Sequence, residues 1–362
     1  MRIMFYINTL AGGGAQRVMS NLANMFSEAG DEVIFVTSFT AEGEYPLDKG
    51  VDRRSLSAQR ISSLLQRNVT YVMELRKLVK QEKPDVLLAF MRQPNYRAVV
   101  AGLGLKTKTL ISVRCDPKVE YRGRVGHFLG KNLLPLADGC IFQTEDAKLW
   151  FPEKLQKKSR VIANAVKRDF YSVEPAPVPG RIVTCGRMTN QKNHRMLIEA
   201  FADAAKDIPH AQLHIYGDGM LRQELAAQIE STGMSDKIKL MGQTSDVPGV
   251  LREASIFVLS SNFEGMPNAL MEAMAAGVAC ISTDCPCGGP AMLIENGKSG
   301  ILTPVGDKAA LTEAIRRLLL DQEQTERLGR EARIAAEQFL PEKIFAQWRE
   351  YLGSFCQDDK AV

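Results

Sequence analysis

The sequence of 362 residues has no apolar run long enough to span a membrane and no cleavable signal pattern at its amino terminus. No stretch approaches the roughly 18 apolar residues of a membrane-spanning helix. The first residues, MRIMFYINTLAGGG, are instead typical of a buried strand that enters a glycine-rich loop. We therefore expect a cytoplasmic protein that meets a membrane only at its surface.

The seven cysteines are scattered and odd in number, which argues against a disulfide framework. Only Cys285 and Cys287, in DCPCGGP, lie close together, and no second Cys or His pair stands at zinc-site spacing. We interpret both as ordinary loop thiols. Because the sequence also offers no convincing acidic pair, we expect neither a metal ion nor another cofactor.

The signature of a dinucleotide-binding protein is absent as well. The loop AGGGAQR, residues 11–17, does not produce G-x-G-x-x-G, and no acidic residue closes the second strand within VIFVTSF. An NAD-dependent dehydrogenase is therefore disfavoured.

Positive charge is concentrated in the first half of the chain. Residues 1–172 contain 27 Lys and Arg against 17 Asp and Glu, whereas residues 173–362 contain 19 against 25. Around residues 114–134 basic residues alternate with Val125, Phe128 and Leu129, a mixture that suits a helix on an anionic membrane surface. A solvated helix face has the same pattern, so both interpretations stay open. Nucleic acid is disfavoured, because no binding motif or aromatic platform accompanies the charge.

Short apolar strands alternate with helical patterns along the chain, which predicts an α/β protein with parallel sheets. The first set of predicted strands comprises 2–7, 32–38, 85–90, 109–113, 139–142 and 160–163. The second comprises 181–185, 212–216, 237–240, 256–260 and 278–282. The segment SVEPAPVPG, 172–180, contains three prolines and predicts a stiff linker. We therefore predict two Rossmann-like, doubly wound domains, 1–172 and 173–341, that face a central cleft. The last helix, 342–354, is expected to pack back on the first domain.

Glu264 and Glu272 stand eight residues apart in FEGMPNALMEAMAAG, where a loop runs into an apolar helix. Pro267 suits the first turn of that helix, because its φ is fixed and it has no N–H. Two carboxylates at this separation, with helix N–H groups between them, fit the hydroxyls and phosphates of a nucleotide sugar. Solvent exposure is the usual state of glutamates. This helix, however, is apolar nearly all round, which predicts that Glu272 lies in a cleft.

The loop GRMTNQKN, residues 186–193, follows a strand directly and precedes a helix. Arg187 and Lys192 then stand at the carboxyl end of a strand, where a diphosphate can lie between a forked donor and a point charge. A basic surface loop is the alternative. The glycines of AGGGAQR let a ligand approach the backbone closely, whereas those of YGDGM, 216–220, are expected to form a tight structural turn.

Together these motifs resemble the retaining glycosyltransferase family four, whose members have the GT-B fold. The resemblance rests on the glycine loop, GRMTNQKN, YGDGM, the E-x7-E element EGMPNALME and ENGKSGILTPVGD near residue 300, and covers most of the chain. The E-x7-E element combined with the upstream Arg/Lys pair is its most specific part.

The resemblance implies a donor site for a UDP-sugar. Arg187 and Lys192 would hold the diphosphate, Glu264 would contact the sugar, and these three would be the catalytic residues. Glu272 would hold the ribose. Further donor-binding positions would be Gly13, Gly14, Gly186, Met266, Pro267, Asn268, Ala269 and Leu270.

Two positions depart from the family pattern. Gln16 stands where many relatives have an acidic residue, and Arg114, in ISVRCDP, stands where many have a histidine. Both are candidate acceptor-side residues. Without the imidazole a side-chain base is in doubt, and Arg114 is expected to meet an anionic acceptor.

The resemblance implies metal-independent transfer of a hexose or N-acetylhexosamine from a UDP-sugar to a polyprenyl-diphosphate-linked saccharide, with retained configuration. DCPCGGP and the basic first domain are similar to those of enzymes that build bacterial cell-surface polysaccharides, which predicts a peripheral protein at the inner face of the cytoplasmic membrane. The alternatives are a sugar-nucleotide epimerase of the same fold and a non-catalytic nucleotide-sugar-binding partner of the assembly machinery. Loss of one cleft charge would distinguish the non-catalytic alternative. The sequence retains all four of these charges, which are those of Arg187, Lys192, Glu264 and Glu272.

Overall fold

The computed structural model describes residues 1–58 and 61–356. The chain divides into two compact units. The first comprises Met1–Asn164 together with the chain from Glu342 onward, and the second comprises Ala165–Pro341. Each is a parallel sheet with helices, as the alternation of strand and helix patterns predicts.

The first unit is built on a sheet of seven parallel strands. The strands are β1 (Arg2–Ile7), β2 (Glu32–Thr37), β3 (Asp52–Ser55), β4 (Val86–Phe90), β5 (Lys108–Ser112), β6 (Gly139–Phe142) and β7 (Ser159–Val161). Their order in the sheet is β3-β2-β1-β4-β5-β6-β7. The central strands are buried nearly end to end, because helices cover both faces of such a sheet.

Seven helices connect these strands within the described residues. They are α1 (Gly14–Glu28), α2 (Leu64–Glu82), α3 (Arg92–Gly102), α4 (Pro117–Glu120), α5 (Gly123–Asn132), α6 (Glu145–Leu149) and α7 (Glu153–Gln156). The side chain of Ser63 caps α2 by accepting a hydrogen bond from the Gln66 N–H. No described helix is both long enough and apolar enough to cross a bilayer.

The second unit has a sheet of six parallel strands. The strands are β8 (Arg181–Cys185), β9 (Gln212–Tyr216), β10 (Ile238–Gly242), β11 (Ile256–Leu259), β12 (Ala279–Thr283) and β13 (Ile301–Thr303), in the order β10-β9-β8-β11-β12-β13. The helices are α8 (Arg168–Tyr171), α9 (His194–Ala204), α10 (Arg222–Thr232), α11 (Val247–Arg252), α12 (Asn268–Ala275), α13 (Gly289–Leu293), α14 (Lys308–Leu320) and α15 (Gln322–Ala336). The apolar core lies mainly between β8, β9, β11, α9 and α14.

The last helix, α16 (Pro341–Gly353), packs in the first unit. Trp348 lies over Phe90 with ring centres 5.8 Å apart, and Phe345 meets Phe26 at 4.9 Å. The Tyr351 hydroxyl accepts a hydrogen bond from the Cys140 N–H at 3.0 Å. These contacts attach the end of the chain to β4, β6 and α1.

Two features differ from the sequence prediction. The edge strands β3 and β13 were not predicted, because DRRS has no apolar residue and ILT is only three residues long. The division between the units falls before residue 165 and not after 172. The Val166 N–H donates to the Phe339 carbonyl and the Tyr171 hydroxyl to the Ala336 carbonyl, which ties this segment to the second unit.

Candidate functional site

Lys192 and Glu264 form an ion pair beyond the carboxyl ends of β8 and β11, which are neighbours in the second sheet. Lys192 Nζ lies 2.7 Å from Glu264 Oε1. Ser261 Oγ donates to the same oxygen at 2.7 Å, and Gln191 Nε2 lies 3.4 Å from Oε2. Only 7% of Glu264 is exposed. One cation and two neutral donors therefore hold a buried carboxylate.

Hydrogen bonds join the two loops that carry this pair. The Asn262 N–H donates to the Gln191 carbonyl at 2.8 Å, and the Asn262 side-chain amide donates to the Asn190 carbonyl at 2.7 Å. Ser260 Oγ donates to the Lys192 carbonyl at 2.9 Å. The backbone on both sides of the ion pair is thus fixed before any ligand binds.

The segment DCPCGGP, which follows β12, braces the backbone of Glu264. The Glu264 N–H donates to the Pro286 carbonyl at 2.7 Å, and the Cys287 N–H donates to the Glu264 carbonyl at 2.9 Å. A Cβ on Gly289 would clash with the Gly265 carbonyl oxygen. Glycine at 289 therefore permits the close approach of the two segments.

Glu272 lies inside α12 and is only 7% exposed. The sequence predicted that Pro267 lies in the first turn of this helix, but in the structure Pro267 is the N-cap. Its carbonyl accepts hydrogen bonds from the Leu270 and Met271 N–H groups at 3.1 and 3.2 Å. Burial and then the charge of Glu272 raise the pKa of the Cys185 thiol to about 12. Glu272 therefore lies near the end of β8.

The remaining predicted donor residues lie along the same loop and helix start. Met266 and Pro267 are buried, Asn268 and Ala269 are half-buried, and Leu270 is buried.

The loop 186–193 packs against the YGDGM turn after β9. The Gly186 N–H donates to the Tyr216 carbonyl at 2.9 Å. Gly217 has a φ of +127°, and a Cβ there would clash with the Gly186 carbonyl. The first glycine of YGDGM thus has a packing role, which keeps the basic loop against the sheet.

The structure brings Gly186, Lys192 and Glu264 together, whereas no hydrogen bond or ion pair joins Arg187 to Lys192 or Glu264. A Cβ on Gly186 would lie 3.1 Å from Lys192 Cε, so the lysine stem passes over this glycine. Arg187 is exposed, and its guanidinium makes no hydrogen bond or ion pair to any described residue. Its donors are therefore available to a ligand.

The sequence did not predict four residues at this site: Gln191, Ser261, Asn262 and His194. His194 begins α9 and is buried, and burial followed by the nearby Lys192 charge lowers its pKa to about 4. Its Nδ1 has no hydrogen-bond partner within the described ranges. The polar run TNQKNH was visible, but its partners lie some seventy residues further along the chain, so only the fold reveals their roles.

In the first unit, the predicted glycines and Gln16 lie where β1 passes into α1. Gly13 is the N-cap of α1 and Gly14 is its first residue. A Cβ on Gly13 would clash with Gln16 Oε1, so glycine leaves room for the Gln16 amide over the loop backbone.

Arg114 follows β5 in the same unit. Its Nη2 donates to Asn164 Oδ1, which also accepts from Gln143 Nε2 at 3.0 Å. Its Cζ lies 4.7 Å from the centre of the Phe90 ring. Burial lowers the pKa of Arg114 to about 9, and Nε has no partner among the residues that the structure covers. A largely buried cation bonded to amides and not to a carboxylate favours an anionic ligand.

No group of three or more His, Cys, Asp or Glu side chains is placed to bind a metal ion in the described part of the chain. The seven cysteines are free thiols. Metal-independent activity remains a prediction.

Two family models match the chain in tandem. Residues 12–170 match the model described as Glycosyltransferase Family 4, and residues 172–335 match the model described as Glycosyl transferases group 1. The two matches meet close to the boundary between the structural units.

Curated relatives match the chain over its whole length. A Campylobacter jejuni α-1,4-N-acetyl-D-galactosaminyltransferase, named for a GalNAc-α-(1→4)-GalNAc-α-(1→3)-diNAcBac-PP-undecaprenol substrate, is 28% identical over 98% of both chains. A second transferase from this organism, named for an N-acetylgalactosamine-N,N'-diacetylbacillosaminyl-diphospho-undecaprenol substrate, is 25% identical over 97% of this chain and 99% of its own.

Solved structures share the fold. Anabaena HepE in complex with UDP and glucose superposes with a TM-score of 0.84 at 20% identity, over 98% of this chain and 100% of its own. Sucrose-phosphate synthase from Thermosynechococcus elongatus gives a TM-score of 0.85 at 17% identity, over 98% and 99%. At these identities the likeness concerns the fold alone, and it confirms the predicted class of two parallel-sheet α/β domains.

Proposed function

Because the chain belongs to the glycosyltransferases that join a family 4 domain to a group 1 domain, we propose that it transfers a sugar from a UDP-sugar to a polyprenyl-diphosphate-linked saccharide, with retained anomeric configuration. The sugar is a hexose or an N-acetylhexosamine. The reaction belongs to the synthesis of a bacterial cell-surface polysaccharide.

The Lys192–Glu264 pair is the observation that carries this proposal. Ligands of doubly wound sheets bind beyond the carboxyl ends of the strands, and the pair lies at that edge of the second sheet. Glu264 offers carboxylate oxygens to sugar hydroxyls. Lys192 offers ammonium hydrogens to the diphosphate while it holds the carboxylate in place.

The departing UDP accumulates negative charge as the bond to the anomeric carbon breaks. Lys192 and the unpaired guanidinium of Arg187 are the cations that stabilise this charge. The amino-terminal end of α12, which begins at Asn268, adds a favourable dipole. Electrostatic stabilisation of this kind is usually the largest contribution to catalysis.

Glu264 is a poor candidate for a nucleophile or a base. Its two oxygens already accept hydrogen bonds from Lys192, Ser261 and Gln191, so the carboxylate is held in place by its neighbours. We therefore propose front-face substitution through a short-lived ion pair. In this reaction the leaving phosphate takes the proton of the acceptor hydroxyl, and no metal ion is needed.

The first unit supplies the acceptor side in this proposal. Arg114 is a cation without a carboxylate partner in the described residues, which suits an anionic acceptor. Gln16 lies in the first turn of α1 and is the second candidate acceptor-side residue. On α5 only Gly130 is buried, while Val125 and Phe128 are exposed among basic residues, which favours contact with an anionic membrane surface.

The names of the relatives support the acceptor and the sugar. Both Campylobacter jejuni transferases are named for N-acetylgalactosaminyl transfer and for undecaprenol diphosphate saccharides. The HepE structure contains UDP and glucose, which supports UDP as the nucleotide.

The proposal is tested by screening UDP-sugars with the purified chain and a membrane extract. We expect one donor to give UDP release that depends on the extract, together with a lipid-extractable saccharide one sugar longer. A heat-treated enzyme is the control. Conversion of a UDP-sugar without any acceptor would indicate an epimerase, and donor binding without UDP release would indicate a non-catalytic partner; either result contradicts the proposal.

A further inference from the structure

The first unit has an apolar groove between α2, α3 and α5 with a volume of about 650 Å³. One face of each helix lines the groove, and the lining residues recur at the spacing of helical turns. They are residues 68, 69, 72 and 73 of α2, residues 93, 96, 97 and 100 of α3, and residues 122, 125, 126 and 129 of α5 and its N-cap. Its apolar lining consists of Val69, Val72, Met73, Val100, Val125 and Leu129. The volume is that of a typical small-molecule site.

The apolar walls of this groove are unusually exposed. Met73 is 66% exposed and Val125 is 72% exposed, while Val69 and Val100 are also exposed. Single exposed apolar residues are normal, but a contiguous set around a concave surface indicates a binding site.

All of the charged residues that line the groove are arginines, namely Arg92, Arg97 and Arg122. Arg122 is exposed and makes no ion pair with any residue that the structure covers. Glu120 accepts a hydrogen bond from the Arg92 N–H at 2.9 Å. Burial raises the pKa of Glu120 to about 7, so its carboxyl offsets the positive charge only in part at neutral pH.

Arg97 shows that the positive charge is built into the base of the groove. It is buried, and its guanidinium donates to Asn68 Oδ1 at 2.7 Å and to Asn8 Oδ1 at 2.8 Å. Its Cζ lies 4.6 Å from the centre of the Tyr71 ring. Hydrogen bonds to neutral acceptors hold this cation without cancelling its charge.

We propose that this groove binds the isoprenoid chain of the lipid-linked acceptor as a single extended chain, with its phosphate end beside Arg92 and Arg122. The inference rests on the proposed function, which supplies an apolar chain attached to a diphosphate. An apolar surface with cations and no lining carboxylate is complementary to that combination. Binding in the groove thereby withdraws part of the isoprenoid chain from the bilayer. The bound isoprenoid then orients the saccharide that is attached to it.

Direct binding of farnesyl diphosphate to the full chain tests this inference, with inorganic diphosphate as the head-group probe. Isothermal titration is the measurement, without donor or membrane. We expect farnesyl diphosphate to bind at least about tenfold more tightly than inorganic diphosphate, because the groove shields several methylene groups from water. Equal affinity for the two probes would overturn the inference.

The variants Met73→Asn and Val125→Asn change opposite walls of the groove at exposed positions, so folding should be preserved. Each variant is expected to weaken the binding of farnesyl diphosphate by about tenfold and to leave the binding of inorganic diphosphate unchanged. Each should also raise the KM for the lipid acceptor but not the KM for the donor. Leu149→Asn, on α6 outside the groove and 65% exposed, is the matched control.

Two further outcomes separate this inference from related ideas. If the variants lose binding to phosphatidylglycerol vesicles but keep their affinity for farnesyl diphosphate, the face contacts the bilayer as a whole and the groove assignment is wrong. If the wild-type chain releases no UDP with any lipid acceptor, the proposed function fails whatever the titration shows. Transfer by the wild type with unchanged farnesyl diphosphate binding in the variants would overturn the groove assignment alone.

Discussion

Glu264 accepts from three side chains, and this arrangement determines what its carboxylate does. Lys192 at 2.7 Å and Ser261 at 2.7 Å share one oxygen, and Gln191 reaches the other. In the proposed site, the carboxylate held in this way accepts hydrogen bonds from the sugar hydroxyls. In the proposed site, the same lysine that pairs with Glu264 also contacts the diphosphate.

Glu272 is expected to bind the ribose hydroxyls of UDP. Glu272→Gln retains the side-chain volume but removes the charge, and should weaken UDP binding by about 10- to 100-fold, since hydrogen bonds to a charged group contribute about 1.5–3 kcal/mol. Titration calorimetry with UDP and 2′-deoxy-UDP provides the measurement. The wild type should discriminate between the two ligands and the variant should not.

Glu313→Ala, on the exposed face of α14, is the matched control and should leave both affinities unchanged. A Glu272→Gln variant that binds UDP as tightly as the wild type would rule out the ribose contact.

His194 makes the second unit sensitive to acid. Its pKa is lowered to about 4, first by burial and then by the charge of Lys192, so the folded protein keeps the imidazole neutral while the unfolded chain protonates near pH 6.5. Because the unfolded state then binds more protons, stability is complete above about pH 6.5 and is lost as the pH falls towards 4. The loss attributable to this residue is on the order of 3 kcal/mol.

Urea unfolding at pH 5 and pH 7.5 measures this effect. The His194→Gln variant should show a smaller fall in stability between the two pH values than the wild type, whereas His210→Gln, at an exposed position, should behave as the wild type does. An equal fall in all three proteins would exclude a role for His194.

At the scale of elements, the site is assembled from three loops that follow adjacent strands. The loops after β8 and β11 meet through Asn262, and the segment after β12 braces Glu264 through Pro286 and Cys287. The charged residues of the first two loops predicted that these loops belong to the site. The sequence did not predict the brace, because DCPCGGP acts through backbone hydrogen bonds that no side-chain pattern reveals.

Gly289 tests the contribution of this brace. Gly289→Ala places a Cβ against the Gly265 carbonyl, and such overpacking costs about 1–3 kcal/mol. We expect a corresponding fall in unfolding free energy, measured by urea titration, and slower transfer, because Glu264 is displaced. Gly353→Ala, where a Cβ would meet no other atom within 4 Å, is the control. Equal stability of the two variants would contradict the packing role of Gly289.

The limits of sequence-based prediction also become clear at this scale. Strands such as β1 and β8 were predicted with the observed bounds, because they are apolar runs bordered by loop residues. The edge strand β3 has no apolar residue, and its pairing with β2 depends on backbone hydrogen bonds. The role of Gln191 depends on contacts across some seventy residues, which spacing within one motif does not encode.

At the scale of the whole molecule, the two units divide the predicted chemistry. The second unit carries the Lys192–Glu264 pair and Glu272, and the first carries Arg114 and the arginine-lined groove. This division follows the uneven charge of the sequence, in which the first half is basic. The whole-length likeness to HepE and sucrose-phosphate synthase shows that the chain contains the two parallel-sheet α/β domains of the GT-B fold.

Metal-independent transfer is a prediction for the whole molecule. If Lys192 and Arg187 offset the charge of the diphosphate, as proposed, excess EDTA should leave the rate of transfer unchanged. The measurement is UDP release with and without EDTA in metal-free buffer. Loss of activity with EDTA, followed by recovery on addition of Mg²⁺ or Mn²⁺, would show that a metal ion performs this task.

Acceptor-dependent UDP release by the Glu264→Ala variant, with UDP affinity determined on the same preparation, tests the central claim most directly. The donor site described here predicts that transfer to the lipid-linked acceptor falls by at least about 100-fold, the usual cost of losing one transition-state contact, while UDP binds as it does to the wild type. Normal turnover in this variant would contradict the role of Glu264 and the donor site built around it.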